Sequence, residues 1–137
     1  DHPFFRRPPP KSLDRNAFSL APMQHLLAPD GAATLCAFSA HAVQAACNHL
    51  PAPPRQWIVC GGGRRNPALM EALAKSLPGT LCAAEDAGWR GDMLEAEAFA
   101  FLAIRAVKHL PLTLPATTGV ARPLSGGIIH FPQDQAH

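Results

Sequence analysis

The residues best suited to chemistry lie in Gly61-Gly62-Gly63-Arg64-Arg65-Asn66-Pro67. Three successive glycines strip side chains from a bend, so a ligand can approach the main chain closely. Asn66 has the side chain of a helix N-cap. Pro67 suits the first helical position, where its missing N–H would be unpaired anyway. The short apolar run Trp57-Ile58-Val59-Cys60 comes just before. A strand, a bare loop and the positive end of a helix together make a common seat for an anionic or nucleotide ligand. The pattern is neither G-x-x-x-x-G-K-[ST] nor G-x-G-x-x-G, so the usual phosphate-loop and dinucleotide fingerprints do not apply. A tight strand-to-helix turn with no ligand is the plain alternative.

The second stretch is Asp92-Met93-Leu94-Glu95-Ala96-Glu97-Ala98-Phe99-Ala100. Asp92-x-x-Glu95 has the spacing of a capping box, in which Glu95 reaches back to a free backbone N–H. That accounts for Glu95 without any function. The same acid also sits on the first turn of an otherwise apolar helix, where a loop can meet a cleft. Glu97 falls on another face and reads as solvated.

Other chemistries find little support. The seven histidines contain no H-x-x-x-H pair, and His41 and His49 are two helical turns apart, too far for one metal. The four cysteines, Cys36, Cys47, Cys60 and Cys82, form no C-x-x-C pair and read as reduced thiols of a cytosolic protein. No G-x-S-x-G elbow exists, so a serine hydrolase has no footing. Lys11-Ser12, after Pro8-Pro9-Pro10, could face a ligand or a partner, or be an ordinary linker.

The elements that must position these residues follow from periodicity. Residues 1–12 are rich in Pro and Phe and favour an extended path. A short helical turn is expected from Asp14 to Leu20, with Asp14 as its cap. Asp30 to Leu50 reads as a helix capped by Asp30, with Leu35, Phe38, Ala42, Val43, Ala46 and Leu50 on one apolar stripe. Pro51-Ala52-Pro53-Pro54 stops it. Gln56 to Cys60 reads as a buried strand, Pro67 to Leu77 as a helix and Thr80 to Ala84 as a second strand. The helix carries Leu69, Met70, Leu73 and Leu77 on one face. Asp92 to His109 is a third helix, and Ile128-Ile129-His130-Phe131 a terminal strand. The alternation of strand and helix argues for an α/β fold with a parallel pair.

The 137 residues suit one domain, divided into a Pro-rich lead-in (1–30), an α/β core (31–110) and a Pro/Gly-rich C-terminal segment (111–137). Apolar residues make up 47%, an ordinary share, whereas 16% charged is low against roughly 25% in typical domains. With 15 prolines besides, some surface is expected to be covered by another domain, another subunit or further sequence. A net charge of +2 with scattered Lys and Arg, and no Tyr, argues against nucleic acid. No apolar run spans a membrane. The opening residues lack the apolar core of a signal peptide, and the chain reads as the middle of a longer one.

Taken in order, these segments resemble the C-terminal part of the anhydro-N-acetylmuramic acid kinases, bacterial sugar kinases of the actin-like ATPase superfamily. The stretches that carry the resemblance are Phe5-Arg6-Arg7-Pro8-Pro9-Pro10-Lys11-Ser12, Ala33-Thr34-Leu35, and Cys60-Gly61-Gly62-Gly63-Arg64-Arg65-Asn66-Pro67-Ala68-Leu69-Met70. Gly91-Asp92-Met93-Leu94-Glu95-Ala96-Glu97-Ala98-Phe99-Ala100-Phe101-Leu102-Ala103 and Leu114-Pro115-Ala116-Thr117-Thr118-Gly119 follow.

The resemblance implies a portion of a ribonuclease H-like C-terminal domain, with a few-stranded sheet packed with three main helices. It implies ATP and Mg²⁺ as cofactors and 1,6-anhydro-N-acetylmuramic acid as substrate. The anhydro ring is opened by water and the 6-hydroxyl phosphorylated, giving N-acetylmuramic acid 6-phosphate for cell-wall recycling. Gly61, Gly62, Gly63 and Asn66 fall on the adenosine-side turn, and Glu95 on a sugar contact. The phosphate loop and the catalytic aspartate of the family match nothing in this segment, so it carries no catalytic residue and is expected to be inactive alone. A cytoplasmic location, a homodimer and an N-terminal domain as partner are further implications. After Lys11-Ser12 the family has Thr-Gly-Arg where this chain has Leu13-Asp14-Arg15; Leu13 brings no hydroxyl, while Arg15 is retained. A non-catalytic nucleotide-binding or dimerisation module of the same fold is the rival reading.

Overall fold

A computed structural model describes residues 2–131, with Arg15 described by its backbone alone. The chain is mixed α/β, with three main helices and a two-stranded parallel sheet. It divides into two compact units, Asp1–Leu94 and Glu95–His137. The end of the expected C-terminal segment, 132–137, lies outside the described residues.

The first unit opens with a 3₁₀ turn at Pro3–Arg6, a second at Arg15–Ala17 and a third at Ala21–Met23. The turn expected after Asp14 forms, and the Asp14 carboxylate accepts the Asn16 N–H at 2.8 Å. Helix α1 runs Ala28–Ala46. It starts two residues before the expected Asp30 cap. Pro29 fits the first turn, where no N–H is needed, and Asp30 becomes an acid within that turn. A 3₁₀ turn at Cys47–His49 closes it before the prolines.

Strand β1 (Gln56–Val59), helix α2 (Pro67–Ser76) and strand β2 (Thr80–Ala83) form one βαβ unit. The strands are parallel, with Gln56 opposite Thr80 and Val59 opposite Ala83. The expected parallel pair is therefore present. Helix α2 packs against α1, and the core between them is Ala40, Leu73 and Leu77, with Trp57, Val59, Leu69, Ala72 and Leu81 packed around it. The face expected for α2 is thus the one it buries. The stripe expected on α1 is not: Leu35, Phe38, Val43 and Leu50 stay exposed while Ala40 is buried. A methyl side chain lets a neighbouring helix approach closely where a Leu would hold it off. Phe38 instead closes an aromatic cluster with Phe5 and Phe18, with ring centroids 6.1 and 5.3 Å away.

The second unit holds most of α3 (Leu94–Val107) and the single turn α4 (Pro115–Thr118). Helix α3 begins at Leu94, two residues after the expected start. Leu112 and Thr113 both donate backbone hydrogen bonds to the Leu124 carbonyl, making an isolated antiparallel bridge. The expected strand at Ile128–Phe131 is absent. Ile128 and Phe131 are exposed and have no strand to pair with among the described residues.

Candidate functional site

The glycine turn forms where the sequence places it. Gly61 takes φ +71°, in the left-handed region that disfavours any residue with a β-carbon. Gly62–Arg65 continues as a 3₁₀ turn, and Asn66 caps α2. The Asn66 Oδ1 accepts from the N–H groups of Ala68 at 3.1 Å and Leu69 at 3.3 Å. Its acceptor is therefore committed to the helix, and the side-chain NH₂ is what it can offer a ligand.

The three glycines are exposed. A β-carbon at Gly61 or Gly62 would meet no atom within 4 Å, so both face open space. Gly63 differs, since a β-carbon there would lie 3.2 Å from Leu69 Cδ2. The Gly61 peptide is engaged on both sides. Its N–H donates to the Gly91 carbonyl at 3.3 Å, and its carbonyl accepts from Arg64 Nη1 at 2.7 Å. The N–H groups of Gly62 and Gly63 make no hydrogen bond among the described residues. A turn with open space beside it and two uncommitted donors fits an anionic or nucleotide ligand.

Arg64 is the residue the sequence reading passed over. Its side chain is only 4% exposed although it lies on the rim of a loop. Nε donates to both Glu85 carboxylate oxygens, at 3.0 and 2.9 Å, and Nη2 donates to Glu85 Oε1 at 2.6 Å and to Asp92 Oδ1 at 2.8 Å. Arg65 pairs with the other Asp92 oxygen. The Arg64 hydrogen bonds hold the Glu85 carboxyl down at about 2. Glu85, and then Asp92, hold the guanidinium more firmly protonated than usual. The signal available in sequence is two arginines beside the glycines and three acids, Glu85, Asp86 and Asp92, further on; what pairs with what is a property of the folded loops.

The expected capping box fails for the same reason. The Asp92 carboxylate is taken by Arg64 and Arg65, and α3 starts beyond it. Glu95 sits in the first turn of α3, exposed, with no hydrogen bond or ion pair among the described residues. It belongs to the second unit, and the glycine turn belongs to the first.

Lys11 faces inward. Its ammonium donates to the carbonyls of Phe4 at 2.9 Å and Phe5 at 3.2 Å and lies 3.0 Å from His49 Nε2. A groove of about 610 Å³ lies apart from the glycine turn, at the C-terminal ends of α1 and α2, and is lined by His41, Gln44, Cys47, Asn48 and Ser76 among others. The four cysteines are free thiols. Among the described residues no group of three His, Cys, Asp or Glu side chains is arranged to hold a metal, and no helix is long and apolar enough to cross a membrane.

The family model for anhydro-N-acetylmuramic acid kinase matches residues 1–132. The chain belongs to the anhydro-N-acetylmuramic acid kinase family. Among its relatives is the anhydro-N-acetylmuramic acid kinase of Rhodospirillum rubrum, 59% identical over 126 residues, which cover 92% of this chain and 34% of the relative. The kinase of Caulobacter vibrioides is 55% identical over 129 residues, 94% of this chain and 35% of the relative. That of Rhizorhabdus wittichii is 52% identical over 132 residues, 96% and 36% respectively. The chain thus spans about a third of the length of these relatives. The family membership suggested by the ordered motifs holds over nearly the whole chain.

Proposed function

We propose that the chain is the C-terminal portion of an ATP-dependent kinase that opens 1,6-anhydro-N-acetylmuramic acid with water and phosphorylates its 6-hydroxyl. The observation that carries this reading is the family match over residues 1–132. The glycine turn supports it, because Gly62 and Gly63 have uncommitted N–H groups beside open space. ATP would lie against Gly61, Gly62 and Gly63, with the Asn66 amide NH₂ as a further donor. When bound, it supplies the phosphoryl group, and Mg²⁺ neutralises its charge. The turn's part is to bind and orient the nucleotide through main-chain donors and the α2 N-terminus. Glu95, exposed and uncommitted, is proposed as the sugar-side carboxylate, which would accept hydrogen bonds from sugar hydroxyls.

The fold in this reading is a portion of a ribonuclease H-like domain, in a cytoplasmic homodimer. The rest of the longer kinase would supply the phosphate loop and the catalytic aspartate. Phe99, Phe101, Ile104 and Val107 on α3 are more than half exposed, which suits a surface that further protein covers.

Equilibrium dialysis of the chain against millimolar ATP tests the nucleotide site, with saturable binding expected. Adding ATP, Mg²⁺ and the anhydro sugar should give no turnover above background. Sustained turnover by this chain would refute the placement of the catalytic base elsewhere.

A further inference from the structure

We infer that Arg64 is a positioning residue that locks the Gly61 peptide, so that the N–H groups of Gly62 and Gly63 are left for the ligand; the ligand part of this inference rests on the nucleotide reading above. One guanidinium serves three separate segments. It donates to the Gly61 carbonyl in the turn, to Glu85 in the loop after β2 and to Asp92 ahead of α3. Arginine alone among side chains has a rigid fork of five donors, and four of its hydrogen bonds here go to carboxylate oxygens and one to the peptide. The Arg64 side chain is itself covered, at 4% exposed, while the Glu85 and Asp92 carboxylates that it holds remain about half open to solvent.

Gly91 completes the lock from the other side. Its carbonyl accepts the Gly61 N–H, so both main-chain polar groups of Gly61 are held, one by Arg64 and one by Gly91. A β-carbon on Gly91 would lie 2.5 Å from Arg64 Nε and 2.7 Å from Glu85 Oε1. A side chain at residue 91 would force the Arg64–Glu85 pair to shift from this place. Two residues 27 positions apart therefore hold the two main-chain polar groups of one glycine, which separates this arrangement from an ordinary surface ion pair. Such a pair would gain little and would be dispensable. With Gly61 fixed at a positive φ, the next two amides are held in one orientation before any ligand arrives, which lowers the ordering cost of binding.

Amide hydrogen exchange on the 137-residue chain, followed by ¹H–¹⁵N NMR, tests this without any ligand. In Arg64→Met and in Gly91→Ala the Gly61 N–H should exchange at least about tenfold faster, while the amides of Leu73 and Leu77 keep their protection. Arg64→Lys should recover part of the protection, since an ammonium can reach some of the partners but has no fork. An ADP titration of the same samples should show binding weakened about tenfold or more in both variants, with smaller shifts at Gly62 and Gly63. Unchanged Gly61 exchange in both variants overturns the inference. So does loss of folding in both, because the cluster would then hold the whole unit and not the turn. Wild-type chain that binds no ADP defeats the nucleotide reading, and the lock on Gly61 is then judged by exchange alone.

Discussion

The Lys11 ammonium lies 3.0 Å from His49 Nε2, although 38 residues separate the two in sequence. The same ammonium donates to the carbonyls of Phe4 and Phe5 and sits 4.8 Å from the centre of the Phe4 ring. Lysine therefore fastens the N-terminal 3₁₀ turn to the turn that follows α1. Lys11→Met keeps the stem and removes the donors. It should cost about 1–2 kcal/mol in a urea melt, because hydrogen bonds from charged donors are worth more than neutral ones. An unchanged midpoint would mean that the aromatic contacts and the 2.9 Å contact of His49 Nε2 with the Phe5 carbonyl hold the Pro-rich segment without Lys11.

Asn66 caps α2 through Oδ1, and Asp at the same position can accept the same two hydrogen bonds. Asn66→Ala should lose about 1 kcal/mol of stability, the usual cost of a lost cap, and Asn66→Asp should lose much less. If the Asn66 amide NH₂ also contacts nucleotide, Asn66→Asp should still weaken ATP binding despite its intact cap. Parallel melts and dialysis of the two variants separate the two roles.

Glu85 makes stability depend on acidity in a defined window. Its folded-state pKa is lowered from 4.5 to about 2 by the Arg64 hydrogen bonds. A carboxyl with a depressed pKa contributes stability that is fully present above the unfolded value and is lost as pH falls through the folded one. The contribution therefore disappears between about pH 4.5 and pH 2. Glu71, lowered by Lys75, acts in the same direction. The informative quantity is thus the difference between wild type and Glu85→Gln in urea melts taken across this range. That difference should shrink as pH falls, and a constant difference would contradict the assignment.

Leu73 is 5% exposed and sits between α1 and the sheet with Ala40 and Leu77. Leu73→Ala should destabilise the first unit by about 2–4 kcal/mol, from lost apolar burial and the cavity left behind. Exposed Leu35, at 44%, should cost far less when changed to Ala, although both leucines lie on predicted apolar helix faces. Comparing the two melts checks which face of each helix is the buried one.

Interactions between near neighbours in the chain were legible from the residues. The glycine turn, the Asn66 cap and Pro67 at the first helical position depend on hydrogen bonds a few residues long, so their types and order are sufficient. The βαβ order was legible too, because a strand period, a helix period and a second strand period follow one another with clear stops. The same ordered motifs carried the family, since membership rests on residue identities in sequence and needs no coordinates.

Tertiary structure decided what long-range partners decide. Asp92 looked like a helix cap because only its neighbours in sequence were visible. In the folded chain Arg64 and Arg65, 28 and 27 residues away, claim both of its oxygens, and α3 starts beyond it. On α1 the sequence marks one apolar stripe, but the close approach of α2 buries Ala40, which is not part of it. Ile128-Ile129-His130-Phe131 has strand composition, yet a strand exists only where another edge offers hydrogen bonds, and none does so among the described residues. Sequence alone thus determined the family, the turn and its cap, because these rest on local order. The lock that holds Gly61 had to wait for the fold, because a guanidinium finds its carboxylates through space and not along the chain.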